Sequence, residues 1–114
     1  MNYEIVTTDD FDREVKKLKK KYHSFLDDLD SFKEELKKNP TMGDELFGNI
    51  RKVPMSIASK IKGKSGGARI ITVTVIVDIE NSDIYLLDIY DKSQQESISK
   101  KEILKLIEKN EIIL

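Results

Sequence analysis

A chain of 114 residues, 39% hydrophobic and 36% charged, is long enough for one two-layer core, and its apolar residues are too periodic for disorder. It has no cysteine and a single histidine, His23, which excludes disulfides and thiolate chemistry and argues against a zinc site. The formal charge is −1, the opening MNYEIVTTDD is not an apolar signal segment, and no run approaches the roughly 20 apolar residues of a membrane span; a single soluble, cytoplasmic domain over residues 1–114 is expected.

Residues 2–7 (NYEIVT) are β-prone and predict a first strand. Thr8 then serves as a helix N-cap, with Asp9, Asp10 and Asp12 where the helix dipole favours negative charge. Phe11, Val15, Leu18 and Tyr22 form one apolar stripe, and Lys16, Lys17, Lys19, Lys20 and Lys21 make a solvated opposite face. A second helix is expected from Ser24, with a capping box to Asp27 and a stripe of Phe25, Leu29, Phe32 and Leu36. Asn39-Pro40 ends it, and 40–49 reads as a loop anchored by Leu46 and Phe47.

Residues 50–62 predict a strand placed at an edge, or bulged, by Pro54. Lys60, Lys62 and Lys64 recur with period two, so an extended backbone would point all three the same way. After Gly66-Gly67, ARIITVTVIVDI is the strongest strand signal, and ENSD (80–83) reads as a turn to a returning strand, 84–90. Ile84, Leu86, Asp88 and Tyr90 would share one face. A tight turn at Asn81-Ser82 sets Val73 opposite Tyr90, Ile71 opposite Lys92 and Arg69 opposite Gln94. Arg69, Tyr90 and Lys92 then stand together at one end of the sheet. Ser99 opens the last helix with a capping box to Glu102 and an Ile98–Ile103 staple; the apolar tail EIIL is expected to pack. The order β-α-α-β-β-β-α gives an α+β fold: a small antiparallel sheet, an N-terminal helix hairpin and a C-terminal helix, with the helices on one side.

The window 46–77 carries Arg51, Lys52, Lys60, Lys62, Lys64 and Arg69 without one acid, so the remainder of the chain sums to −7. Such a separation attracts a polyanion to one region of an acidic molecule. A phosphodiester transition state gathers charge on its non-bridging oxygens, and fixed cations lower its energy. Arg69 suits a phosphate clamp because its planar fork bonds two oxygens at once, and a lysine crowded among cations approaches base function. Gly63-Lys64-Ser65 only imitates a P-loop: Ala58 stands where the first glycine belongs, and a strand follows instead of a helix. His23 reads as an exposed link residue. Asp78, Glu80 and Asp83 read as a polar turn, since Ile89 occupies the last ligand position of a calcium loop.

Several strings, in this order, resemble the RelE/ParE superfamily of type II toxins, nearest its RelE/HigB-like members. They are the Phe11…Val15-Lys-Lys-Leu18-Lys-Lys-Lys-Tyr22 helix, Pro40…Gly43…Leu46, Arg51-Lys52, Lys62-Gly63-Lys64-Ser65-Gly66-Gly67-Ala68-Arg69-Ile70-Ile71 and Leu86-Leu87-Asp88-Ile89-Tyr90-Asp91-Lys92-Ser93. The resemblance implies a single toxin domain that cleaves mRNA, often on the ribosome, and inhibits translation. It also implies neutralisation by a cognate antitoxin, with no metal, no small-molecule cofactor and no membrane partner. The RNA 2′-hydroxyl would attack the adjacent phosphate. Carried over by position, the family's basic strand residues fall on Lys60, Lys62 and Lys64, its strand-opening arginine on Arg69 and its second basic residue on Lys92, with Tyr90 two residues before. Arg51 and Lys52 extend the RNA-binding set. The acid–base residue that many ribosome-dependent members carry further on falls near Ile98, which cannot transfer a proton, leaving Tyr90 to substitute. Two alternatives stay open: a ParE-like inhibitor of DNA gyrase, and a catalytically weak member that mainly binds its antitoxin.

Overall fold

The β-branched run ARIITVTVI forms the middle of the sheet, as its composition requires of a strand covered on both sides. The computed structural model describes residues 1–60 and 66–114. In order, the elements are β1 (Asn2–Thr7), α1 (Asp9–Lys21), α2 (Phe25–Lys38), β2 (Asp44–Phe47), β3 (Ile50–Met55), β4 (Ala68–Ile76), β5 (Asn81–Asp91) and α3 (Lys100–Lys109). The fold is α+β, with a five-stranded sheet in the order β1-β5-β4-β3-β2 and three helices among the described residues. Only β1 and β5 pair in parallel; the other neighbours are antiparallel. No helix among the described residues is long and apolar enough to cross a membrane.

The helices are not all on one side, as the sequence led us to expect. Phe11, Leu18, Phe25, Leu29, Phe32 and Leu36 of α1 and α2 pack on Val53, Met55, Ala68, Ile70, Ile84, Leu86 and Ile89. Ile103 and Ile107 of α3 pack on Ile50, Ile71, Val73, Leu87 and Tyr90. Since β-strand side chains alternate, these two clusters lie on opposite faces. Asp10 ties the layers at one end, accepting from Lys109 at 2.9 Å and Asn110 at 3.2 Å. Of the tail, Ile112 packs against the second cluster while Ile113 and Leu114 are exposed.

Three strand expectations are corrected. The 40–49 loop contains β2, which makes the strand count five rather than four; its Asp44 and Glu45 are tolerated because the strand is an exposed edge. The strand expected over 50–62 stops at Met55. Ile57 turns into the core with no exposure, and the next backbone donors leave the ladder for α2: Ala58 N–H bonds Asp28 Oδ2 at 3.0 Å and Ser59 N–H bonds Ser24 Oγ at 2.9 Å. Ser24 therefore makes no capping hydrogen bond to its own helix; its hydroxyl donates to Asp28 at 2.7 Å.

The turn after β4 lies earlier than expected. Asp78 Oδ1 accepts from the N–H groups of Glu80 and Asn81 at 2.8 and 2.9 Å, so β5 already begins at Asn81. Val73 consequently faces Tyr85 rather than Tyr90, Ile71 faces Asp88 rather than Lys92, and Arg69 faces Tyr90 rather than Gln94. A register shift between Ile71 and Thr72 marks a bulge in β5. It sends Ile84 and Leu86 to the hairpin face but Tyr90 to the α3 face, dividing a set that strict alternation would keep together.

Candidate functional site

Arg69 shares the α3 face of β4 with Ile71 and Val73, and its rung holds Pro54 on one side and Tyr90 on the other. Two rungs along, at the next position on the same face, Lys52 of β3 faces Ile71, with Asp44 of β2 beyond it. Past the end of the ladder, Lys92 donates its backbone N–H to Gly67 O at 3.0 Å and its side chain is exposed. Lys52, Arg69 and Lys92 thus occupy successive levels at one end of the sheet. The half-buried Arg69 donates from Nη1 to Ala68 O at 3.0 Å.

Tyr90 is a core aromatic of the α3 cluster, 6% exposed. Its hydroxyl is shut off from solvent and has no hydrogen-bond partner among the described residues. Burial raises its pKa, the neighbouring Arg69 charge opposes that rise, and Asp88 adds to it. A phenol held above its ordinary pKa is protonated at neutral pH, which makes it a donor and not a base. Tyr90 stands across the rung from Arg69, close enough for the guanidinium charge to act on its phenol.

Lys60 does not join this set. It follows a turn, with its N–H bonded to Ile57 O at 2.9 Å, and its side chain lies on the hairpin face. There Nζ donates to Asp91 Oδ1 at 2.8 Å and sits 5.2 Å from the centre of the Tyr22 ring. Burial alone would lower its pKa, but the bond and attraction to Asp91 prevail and raise it. An ammonium only 12% exposed and bound to a carboxylate is a structural cation rather than an RNA contact. Arg51 is likewise engaged on that face: Nε bonds Met42 O at 3.2 Å and Nη2 bonds Gly43 O at 2.8 Å, bracing the turn into β2. Lys62 and Lys64 lie outside the described residues.

Asp91, which sequence reasoning passed over, organises the hairpin side of this end. Its side chain is 3% exposed and accepts from Lys60, from the Tyr22 hydroxyl, and from Ser93 N–H and Oγ at 2.9 and 2.7 Å. Burial would raise its pKa, yet these bonds hold the carboxyl far below the ordinary carboxylate range. A signal was present in the chain: Asp91 has the parity of buried Ile89, and an aspartate at an inward position needs partners.

Asp88, which sequence reading placed on a strand face without a role, lines a groove between α1, β5 and α3 with Asp10, Glu14 and Glu102 near it. Burial first, then repulsion from Glu14, Asp10 and Glu102, push its pKa up to about 6, against a bond from the Ile89 N–H. An acid whose pKa is raised on folding binds more protons folded than unfolded, so stability falls as pH climbs from about 4 to about 6. Asp88→Asn should therefore raise the unfolding free energy at pH 7 by about 1 kcal/mol once solvent screening is allowed for, seen as a higher urea midpoint, and flatten that part of the pH profile. An unchanged slope would mean that Asp88 titrates normally.

Among the described residues no group of three or more His, Asp or Glu side chains is arranged to hold a metal ion. What remains at this end of the sheet is one arginine on a strand, flanked by lysines above and below, with a protonated phenol behind it. Such a set can bind and polarise an anionic ester. No family model matches this chain.

Proposed function

We propose that the chain is a toxin of the RelE/ParE type that cleaves mRNA without a metal ion and so inhibits translation. The observation that carries this reading is Arg69 on the α3 face, directly across from Tyr90, with Lys52 and Lys92 one level to either side. The element order, with a parallel β1–β5 pair closing an antiparallel sheet, is compatible with the RelE/ParE arrangement. In the reaction the RNA 2′-hydroxyl would give its proton to solvent water as its oxygen attacks the adjacent phosphorus, the P–O5′ bond would break with the 5′-oxygen taking a proton from water, and a 2′,3′-cyclic phosphate would result. Arg69 would bond two non-bridging oxygens as they gain charge, with Lys52 and Lys92 holding the flanking phosphates. Tyr90, buried and protonated, would tune the Arg69 field rather than exchange protons with RNA. The cognate antitoxin would neutralise the protein by covering this cationic end.

Primer extension on cellular transcripts after induction tests the proposal. New 5′ ends should appear, and the purified protein, supplied with message and ribosomes held together by Mg²⁺, should generate the same ends in the presence of a chelator selective for transition metals. Loss of cleavage under that chelator would refute the metal-free mechanism. Intact transcripts accompanied by altered DNA supercoiling would favour the gyrase-inhibitor reading instead.

A further inference from the structure

We propose that Asp91 is a positioning residue for Arg69, acting from the opposite face of the sheet; the proposal rests on the reading of Arg69 as the phosphate clamp. Asp91 belongs to the last rung of the β4–β5 ladder, paired with Ala68, and the Arg69–Tyr90 rung is the next one in. A terminal rung frays unless something outside the ladder holds it. Three segments converge on the Asp91 carboxylate to do so. Lys60 comes from the chain after β3, donating to Oδ1 at 2.8 Å. Tyr22 comes from the end of α1, donating its hydroxyl to Oδ2, with Lys21 Nζ 3.5 Å from the same oxygen. Ser93 closes the turn after β5 through its N–H and hydroxyl.

The chain around this knot carries the candidate site. Tyr90 and Lys92 flank Asp91 in sequence, and the Lys92 N–H bonds Gly67 O, two residues before Arg69. The carboxylate therefore fixes both strands at the level where Arg69 leaves the backbone, while its own side chain points to the hairpin face. A buried ion pair is weak evidence for net stability, because an apolar replacement of similar volume often serves as well. Registry is the better-attested use of such a pair, and here the registered groups are Arg69, Tyr90 and Lys92.

Asp91→Asn keeps the shape and removes the charge, whereas Lys60→Met removes the partner farther from Arg69. Since neither side chain lies on the α3 face, RNA should still bind. Misplacing a catalytic group by about 1 Å can cost about 10²-fold in rate. We expect each variant, measured per folded molecule by circular dichroism, to lose at least about tenfold in kcat with KM within about threefold of wild type. The double variant should be little worse than either single one, as for members of one network. A readout free of RNA accompanies this: the Arg69 Nε–Hε signal in a ¹⁵N-labelled protein should shift or broaden in both variants. Should Asp91→Asn not fold, Tyr22→Phe removes one hydroxyl while leaving the ion pair, and a severalfold fall in kcat is expected. A wild-type kcat in folded variants, or an Arg69 signal unmoved in Lys60→Met, overturns the positioning role. If the wild-type protein cleaves no RNA, the proposed function fails, and the Arg69 signal alone decides whether Asp91 holds the guanidinium.

Discussion

Arg69→Ala should lower the rate of RNA cleavage by about 10²–10³-fold, the usual consequence of removing one fixed donor from a developing oxyanion, or about 3–4 kcal/mol in the barrier. The fold should survive the change. Arg69 stands at the end of β4, half-buried, and its backbone stays in the ladder between Pro54 and Tyr90 whatever the side chain. Arg69→Lys should recover only part of the loss, because an ammonium is a point charge and lacks the planar fork that bonds two oxygens. A second consequence has a definite sign. The Arg69 charge holds the Tyr90 pKa down against burial, so its removal should raise that pKa further, as absorbance titration of the phenol would reveal. Single-turnover cleavage of a defined message on ribosomes, with circular dichroism to confirm folding, measures the first effect. An Arg69→Ala variant that cleaves within threefold of wild type would remove the guanidinium from the chemistry.

The acid-free window does not act as one cationic face. Its described arginines and lysines divide across the sheet: Lys52 and Arg69 lie on the α3 side, Arg51 and Lys60 on the hairpin side. The second pair does structural work, since each is bound to carbonyl or carboxylate oxygens over there. Net charge along a chain says where a field can arise, but only the alternation of the strands decides which side of the molecule receives it.

What was legible in the sequence follows the range of the interactions responsible. The stripe Phe11, Val15, Leu18 and Tyr22 and the Thr8 cap were readable because a helix is specified within four residues; Thr8 does accept from the Phe11 N–H, at 3.2 Å. The same holds for Ser99, which accepts from the Glu102 N–H at 3.1 Å. Ser24 looked equally local, yet its hydroxyl goes to Asp28 and to Ser59, 35 residues away. The β4–β5 register failed for the same reason. Asn81 and Ser82 are turn residues by type, but here they begin a strand because Asn2 and Tyr3, 79 residues earlier, pair with them. Lys60 was misplaced because a period-two pattern presupposes extended backbone, and Ile57 ends the strand by entering the core. Its partner Asp91 lies 31 residues downstream. Local pattern carries propensity; the pairing of distant groups has no local sign.

Gly67→Ala should be among the most damaging single substitutions in the chain, costing at least about 3 kcal/mol. Gly67 precedes β4 where that strand meets the end of β3. A Cβ there would lie 2.1 Å from Met55 O, and 3.2 Å from both Met55 C and Ser56 Cα. These are backbone atoms, which cannot rotate aside as a flexible side chain would. Relief requires β3 and β4 to separate at the Met55–Ala68 rung, which is fully packed, with Ala68 completely buried and Met55 3% exposed. Separation there also disturbs the bond from Lys92 N–H to Gly67 O, and with it the level that holds Arg69. Gly48→Ala is the informative contrast. Gly48 has φ +54 with nothing within 4 Å of a new Cβ, so it loses only the left-handed freedom of glycine, about 1 kcal/mol. Urea midpoints of the two variants should differ accordingly, and RNA cleavage should be lost in Gly67→Ala and kept in Gly48→Ala. If Gly67→Ala unfolds within about 1 kcal/mol of wild type, the close approach of β4 to Met55 is not what fixes this end of the sheet.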